Sequence, residues 1–458
     1  MKPSLSISIP AYGYPDSLKA NITRLLTSVR QDIEIVVVDN DETGTQIKES
    51  MLQIKDSRFH YYQNECNIGR TNNIVKAIEK AEADFVLLMS CDDELNLDAL
   101  DKVIEAIENF PELALVMGTV TTSLGGLAYP NIGAGRYERG FQVLNALPFL
   151  ASLLPMVINK KYVDCEKLYD LNETYMQNRL ALLVANSGDL IVLDCILGMQ
   201  VDYMEGRTEG GGAIEVFENG IDMSSWNAGG CYYGPYRRIE QLQSELDIIN
   251  QYKLRTDKKI KIVEKFVSRR IGQLCNYIVG CHDVYLVKSA GTEGFMTYEE
   301  VFTLFLARMG EYFAALEQKK CYFFSGRLQD MIKNERLLLE RAEAILSVIQ
   351  EKNVVVWGQG NKSEKLIGFL KLININVKVI AIENKKYKQD VEIIDLNNLS
   401  QSEIVLIPDG YSDTIEKILS DKSECNYYFM DQMAKYLAVV YCSQHKDGNC
   451  MKSFLDFY

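Results

Sequence analysis

Histidine is scarce: three residues, at 60, 282 and 445, in a chain of 458. Spread so widely, they suggest no histidine-based metal or nucleophile site. Eleven cysteines occur, an odd and scattered set in which no two form C-x-x-C. Neither a zinc site nor a disulfide framework follows, and reduced thiols buried in a cytosolic protein are expected. No apolar run is long enough to span a bilayer. The most apolar one, Ala146 to Ile158, has 13 residues and carries Pro148 and Pro155, whereas a spanning helix takes about 20. Behind a single Lys the chain enters the alternating strand Leu5-Ser6-Ile7-Ser8-Ile9, so no signal peptide is expected. A cytoplasmic protein follows, soluble or at most peripheral at the inner face of the membrane. Basic residues are also in deficit, 49 against 63 acidic, for a net charge of −14. That excludes a general nucleic-acid binder, but not a nucleotide bound through a metal.

Apolar residues make up 47% of the chain, enough to exclude a disordered or collagen-like protein. From Leu5 to Leu88 strands and helices alternate. Ile7 to Pro10, Ile33 to Val38 and Phe85 to Met89 read as strands, with helices at Leu18 to Val29 and Asn73 to Ala81. Such alternation predicts a parallel sheet covered on both faces, with ligands bound beyond the strands' carboxyl ends. Residues 235 to 350 carry helical spacing throughout. From Asn353 a strand, Val354 to Trp357, enters a Gly turn, and strands at Val377 to Ile382 and Ile404 to Ile407 follow. The expected class is therefore α/β, with domains at 1–232, 233–350 (helical) and 351–424 (small, α/β) and a tail at 425–458.

The strand ends carry the chemistry. Ser90-Cys91-Asp92-Asp93-Glu94 follows the third strand directly, and adjacent carboxylates repel unless a cation or donors offset them. A divalent metal bridging to a diphosphate fits, and so does an acidic cap for a helix at Leu97 to Ile107. Strand two ends in Val38-Asp39-Asn40-Asp41, strand one in Ile9-Pro10-Ala11-Tyr12, and Asn67-Ile68-Gly69-Arg70 stands ahead of the third. Carboxylates can take base or ribose hydrogens, an aromatic can stack, and Arg can pair with phosphate.

Four motifs in order, S-I-x-I-P-x-Y, I-V-V-V-D-N, N-x-G-x-x-x-N and F-V-L-L-x-S-x-D-D, resemble the inverting family-two glycosyltransferases of the GT-A fold. The resemblance covers roughly residues 4 to 205 and is nearest to the abequosyltransferase-like branch that builds bacterial surface polysaccharide. It implies that Pro10, Ala11, Tyr12 and Asp39 hold base and ribose. Asn67, Gly69 and Arg70 would lie by the nucleotide, and Asp93 would bind Mg²⁺ or Mn²⁺ at the diphosphate with Asp92 beside it. Cys91 stands where many relatives have the first acid of D-x-D. Relatives carry the general base in an E-D pair ahead of R-L-A. Counting back from Arg179-Leu180-Ala181 puts Glu173 on that position, with Asn172 in the other slot. A Glu in a helix's first turn is the structural alternative, and Asp170 and Asp189 are further candidates for the base.

The resemblance thus implies a metal-dependent inverting transfer from a nucleotide-diphosphate sugar to a surface-glycan acceptor, expected to be lipid-linked. Two rivals stay open. One is a degenerate, non-catalytic scaffold that binds partners or lipid. The other is a nucleotidyltransferase, although Tyr12-Gly13-Tyr14-Pro15 lacks the cations its loop would need. The Gly-rich loop from Gly206 to Gly212 is expected as a donor lid or a plain linker. Eight cations against two acids give 253–270 a net +6, and Ile260, Val263, Val267 and Ile271 form a stripe on the same helix. An anionic membrane contact, a packed solvated face or a homo-oligomer contact all fit. Lastly, Val356-Trp357-Gly358-Gln359-Gly360 with Glu383 looks like a dinucleotide-fold turn, a second ligand site on a Rossmann-like appended module. Ser363 replaces its third Gly, and no Y-x-x-x-K occurs. A structural or sensing module is expected.

Overall fold

The computed structural model describes residues 2–13, 15–41, 45–122, 127–128, 132–150, 152–171, 173, 175–201, 235–271, 298–318, 325–358, 361–380, 391–395, 398–400, 402–408, 426–430, 436–437 and 440–441. By packing density the chain forms two units, Met1–Asn219 with Glu240–Phe266, and Gly220–Ile239 with Val267–Tyr458.

The first unit is built on a nine-stranded mixed sheet. Its strands are β1 (Leu5–Ala11), β2 (Ile33–Asp39), β3 (Phe59–Gln63), β4 (Phe85–Leu88), β5 (Glu94–Leu95), β6 (Leu115–Thr122), β7 (Gly135–Tyr137), β8 (Val157–Asn159) and β9 (Leu190–Gln200). They lie in the order β3-β2-β1-β4-β8-β6-β9-β5, with β7 also on β9. The run β3-β2-β1-β4 is parallel throughout. Every residue of β2 is buried, as expected of β-branched strands covered on both faces. Around it stand α1 (Pro15–Leu26), α2 (Thr45–Leu52), α3 (Gly69–Lys80), α4 (Ala99–Asn109), α5 (Phe141–Ala146) and α6 (Met176–Val184). Ile74, Val75 and Ile78 give α3 its buried face, which packs on β1 and β2. The periodicity missed α2 and β3. Phe59-His60-Tyr61-Tyr62-Gln63 is half-buried along its whole length and so has no alternation to read.

Long helices follow: α7 (Pro235–Gln251), a helix over 256–271, α8 (Tyr298–Gln318) and α9 (Ser325–Ile349). In the second unit β10 (Val354–Trp357), α10 (Asn361–Leu372), β11 (Val377–Ile380), β12 (Glu392–Ile394), β13 (Ile404–Ile407) and β14 (Asn426–Phe429) build a separate sheet. Its order is β12-β11-β10-β13-β14, parallel throughout. This is the doubly wound order 3-2-1-4-5 when strands are counted along the chain. The α/β class, with a nine-stranded mixed sheet first, helices in the middle and a small parallel sheet last, is therefore what the chain adopts. Among the described residues, no helix is long and apolar enough to cross a membrane.

Candidate active site

The carboxyl ends of β1, β2 and β4 open on one edge of the first sheet, because β1 pairs in parallel with both neighbours. Ala11 stands opposite Asp39 in that register. Asp39 is fully buried. Its Oδ1 accepts from the Asp41 N–H at 3.0 Å, and its Oδ2 accepts from the Tyr61 hydroxyl at 2.8 Å. Burial pushes the Asp39 carboxyl above the usual carboxylate range, against the pull of these two donors.

Four asparagines hold the next turn. Asn40 donates to Asn67 Oδ1 at 2.7 Å, while its own Oδ1 accepts from Asn64 at 3.0 Å and from the Ile68 N–H at 2.9 Å. Asn73, buried on α3, donates to the carbonyls of Val38 at 3.0 Å and Ala11 at 3.3 Å, and accepts from Asn64 at 2.9 Å. The ends of β1 and β2 are thereby tied to the first turns of α3. Gly69 opens that helix at φ +80°, a left-handed value that a side chain would strain, and its N–H donates to Asn67 Oδ1 at 2.9 Å. Arg70 and Asn67 are exposed at this rim.

Beyond β4 the chain turns through Cys91, Asp92 and Asp93. The amide of buried Asn21, on α1, donates to the main-chain oxygens of Cys91 at 2.8 Å and Asp93 at 2.9 Å. On its far side this turn runs into β5, paired antiparallel with β9. Gly198 has no side chain because a Cβ there would come within 2.4 Å of the Glu94 carbonyl oxygen. Asp93 is 2% exposed and its Oδ2 has no hydrogen-bond partner. Burial first, and the Asp92 charge second, push its carboxyl up to about 7. The same two influences, burial leading, push the Cys91 thiol up to about 12, so it stays protonated at neutral pH. A helix cap is not the purpose of this acidic pair. The N-cap of α4 is Asp98, with β5 intervening.

The segment carrying Glu173 lies against α3. Asn72 and Asp170 bond reciprocally, Nδ2 to Oδ1 at 3.1 Å and the Asp170 N–H to Asn72 Oδ1 at 2.8 Å. The Thr71 hydroxyl donates to the Glu173 carbonyl at 3.0 Å. The Glu173 side chain is 6% exposed; Oε1 takes both Arg179 Nη1 and the Ser244 hydroxyl at 2.5 Å, and Oε2 has no hydrogen-bond partner. Since α6 begins at Met176 and holds no acid in its first turn, helix-end electrostatics do not account for Glu173. Asp189 lies elsewhere. It precedes β9 and takes Arg136 Nε at 2.7 Å and the Arg139 N–H at 2.9 Å. Because β9 runs parallel to β6 and leaves its carboxyl end at β5, Asp189 sits at the opposite edge of the sheet from Asp93.

Sequence reasoning missed Asn21, Asn40, Asn73, Tyr61 and Ser244. Asn40 and Asn73 stood inside recognised motifs without a role of their own, while Asn21, Tyr61 and Ser244 contact the site from up to 72 residues away. It also expected buried thiols throughout, yet Cys66, in the asparagine turn, is exposed. Among the described residues no group of three or more His, Cys, Asp or Glu could hold a metal by itself. A cation here would need ligands from a bound molecule as well as Asp93, whose orphaned, buried oxygen fits that part.

Residues 6–153 match the family described as Glycosyl transferase family 2. That stretch of the first unit is thus similar to family-two glycosyltransferases. A putative teichuronic acid biosynthesis glycosyltransferase of Bacillus subtilis is 29% identical over 105 residues, 23% of this chain and 42% of that protein. An uncharacterized glycosyltransferase of Methanocaldococcus jannaschii is 25% identical over 122 residues, 26% of this chain and again 42% of the relative. The chain thus spans about two-fifths of the curated relatives that it matches. Among solved structures, S. aureus TarS 1-349 aligns with a TM-score of 0.47 and 14% identity over 69% of this chain and 82% of that one. The Pyrobaculum calidifontis mannosyltransferase PcManGT, in complex with GDP-Man and Mn²⁺, aligns at 0.37 and 11% identity, over 72% and 86%. The matched region contains β1, β2, the asparagine turn and the Asp92-Asp93 turn, and ends before Glu173.

Other expected features are placed differently. On the helix over 256–271, Val263, Val267 and Ile271 are buried, so no apolar stripe is offered to a membrane. Lys265 Nζ is spent on the carbonyls of Leu144, Asn145 and Leu147, at 3.2, 2.5 and 2.8 Å. Lys258 and Lys261 stand over the Phe141 ring at 4.9 and 5.9 Å while remaining exposed. Gly358 ends β10 at φ +120°, with its N–H on the Ile380 carbonyl at 3.3 Å. Gly360, Glu383 and the loop from Gly206 to Gly212 lie outside the described residues.

Proposed function

We propose that the chain transfers a sugar from a nucleotide-diphosphate donor to a hydroxyl of a bacterial surface glycan, with inversion at the anomeric carbon, as in the abequosyltransferase-like branch. One observation carries this: a buried, orphaned carboxylate oxygen on Asp93, beside Asp92, at the strand-end edge that Asp39 shares. Asp39 takes hydrogens of the base or ribose, with Pro10, Ala11 and Tyr12 forming the floor. Asn67, Gly69 and Arg70 border the nucleotide, and Asp93, with Asp92 beside it, holds Mg²⁺ or Mn²⁺. The metal, when bound, offsets charge on the diphosphate leaving group.

Glu173 is the general base, its Oε1 fixed by Arg179 and Ser244 and its buried Oε2 without a hydrogen-bond partner and so left to take a proton. Oε2 takes the acceptor's hydroxyl proton as that oxygen bonds to the anomeric carbon. The bond from that carbon to the diphosphate breaks, and its electron pair leaves with the phosphate oxygen. The acceptor is lipid-linked, and the exposed Lys253, Lys258 and Lys261 meet anionic headgroups by charge alone. The C-terminal sheet is a structural or ligand-sensing module. A nucleotide-sugar panel with Mn²⁺ tests the whole reading on wild type and Asp93→Ala. Donor binding and turnover by wild type, lost in the variant, is the expected result. A wild type that neither binds nor hydrolyses any donor refutes it.

A further inference from the structure

Three successive residues of the first turn of α3 point to different tasks. Arg70 is exposed at the donor rim, Thr71 bonds the Glu173 carbonyl, and Asn72 bonds Asp170 twice. About two turns further along the same helix, Glu79 Oε2 accepts from the Tyr169 hydroxyl. The segment from Tyr169 to Glu173 is thus laid antiparallel along α3. Asp170 adopts φ +61°, a left-handed conformation that is strained for a non-glycine residue. Asp tolerates it better than most because its short side chain can find local polar partners. Here the partner is Asn72, which both accepts from the strained residue's N–H and donates to its carboxylate.

We propose that Asn72 and Asp170 form a positioning pair that sets the Glu173 segment against the donor turn. Gly69, Arg70 and Asn72 are consecutive or nearly so on one helix start, so the pair fixes the distance between the group that takes the proton and the groups that border the diphosphate. Asp170 acts here through its geometry and is not itself the base. This rests on the transfer reading above, with Glu173 as base.

The pair's polarity can be exchanged. Asn72→Asp keeps an acceptor for the Asp170 N–H but sets two carboxylates face to face. Asp170→Asn suits the left-handed backbone and can still accept from Asn72 through its own Oδ1, so it weakens the pair by removing the charge rather than breaking it. In the double variant the exchange is complete: the side-chain amide and the main-chain N–H of residue 170 both donate to the carboxylate at 72. The experiment measures hydrogen exchange over 168–173, melting temperature, UDP affinity with Mn²⁺, and turnover of whichever UDP-sugar the wild type uses. Asn72→Asp should exchange faster and turn over about tenfold more slowly, Asp170→Asn should lose less, and both should keep UDP affinity within about twofold of wild type. Melting temperature should move by no more than about 2 °C, since the pair is at the surface. The double variant should recover both exchange protection and turnover to within about threefold.

An Asn72→Asp variant that turns over like wild type overturns the pair. A double variant no faster than Asn72→Asp also overturns it, and an Asp170→Asn slower than Asn72→Asp makes Asp170 a catalytic carboxylate instead. A wild type that turns over no donor overturns the transfer reading and this consequence together, which separates the two failures.

Discussion

Replacing Asp93 by Asn should stabilise the metal-free protein at pH 8, and the variant's stability relative to wild type should rise with pH. The carboxyl is pushed from 3.8 to about 7 by burial and by Asp92. In the unfolded chain it ionises freely near its ordinary value. Raising the pH from 3.8 to 7 therefore favours the unfolded state, which loses its proton first, and the cost levels off above the folded value. Integrated, the penalty is about 2 kcal/mol at pH 5 and about 4 kcal/mol at pH 8. The amide is isosteric and carries no charge, so the Asn variant escapes the penalty. Its own imperfect hydrogen bonding costs about 1–3 kcal/mol at every pH, and this cancels when two pH values are compared.

The assay is thermal or urea unfolding of wild type and Asp93→Asn in EDTA at pH 5 and pH 8. The variant's stability relative to wild type should rise by about 2–3 kcal/mol between the two. Mn²⁺ with UDP should then raise the wild-type melting temperature at pH 8 and leave the variant where it was. A difference between the proteins that is the same at both pH values would refute the argument, because it would mean Asp93 is solvated or paired in the free protein.

Other consequences concern single contacts. Tyr61→Phe removes the donor at 2.8 Å from Asp39, and with it a hydrogen bond that lowers the Asp39 carboxyl. That group should rise further, so UDP affinity titrated downward in pH should fall off at a higher pH than in wild type. Asn21→Ala removes both amide bonds to the Cys91-Asp93 turn and should lower stability by about 1–3 kcal/mol. Mn²⁺-dependent UDP binding should weaken further than UDP binding without metal, as calorimetry would show. Glu173→Gln should leave UDP affinity unchanged and reduce turnover by about 10²-fold or more; an equal loss in both would make Glu173 a binding group. Lys253, Lys258 and Lys261, all changed to Gln, should weaken binding to anionic liposomes by about 1 kcal/mol per lysine, and unchanged flotation would refute the headgroup contact.

Periodicity and local composition were sufficient, from the sequence by itself, for the class of fold and the edge at which its chemistry lies. The short length and β-branched content of runs such as Ile33 to Val38 favour buried strands, and a strand buried on both faces implies parallel neighbours with helices above and below. The placement of Asp39 and Asp93 at the carboxyl edge was legible for the same reason. A charged residue directly after such a strand has few places to go except the carboxyl edge.

What the tertiary structure decided is the state of those groups. Tyr61 sits on a half-buried strand with no alternation, Asn21 on a helix 72 residues before its contact, and Ser244 on α7, 71 residues beyond Glu173. Such partners leave no local trace, because a hydrogen bond between distant segments constrains two positions without imposing a period on either. Asp189 shows the converse. Its residue type suited a base, but the direction of β9 puts it at the far edge. The basic helix is a third case, since its apolar stripe was read correctly and its burial depended wholly on what packed against it. Which carboxylate is orphaned, which is paired and which faces the wrong way is fixed by strand direction and by contacts across the chain, and only the folded protein contains either.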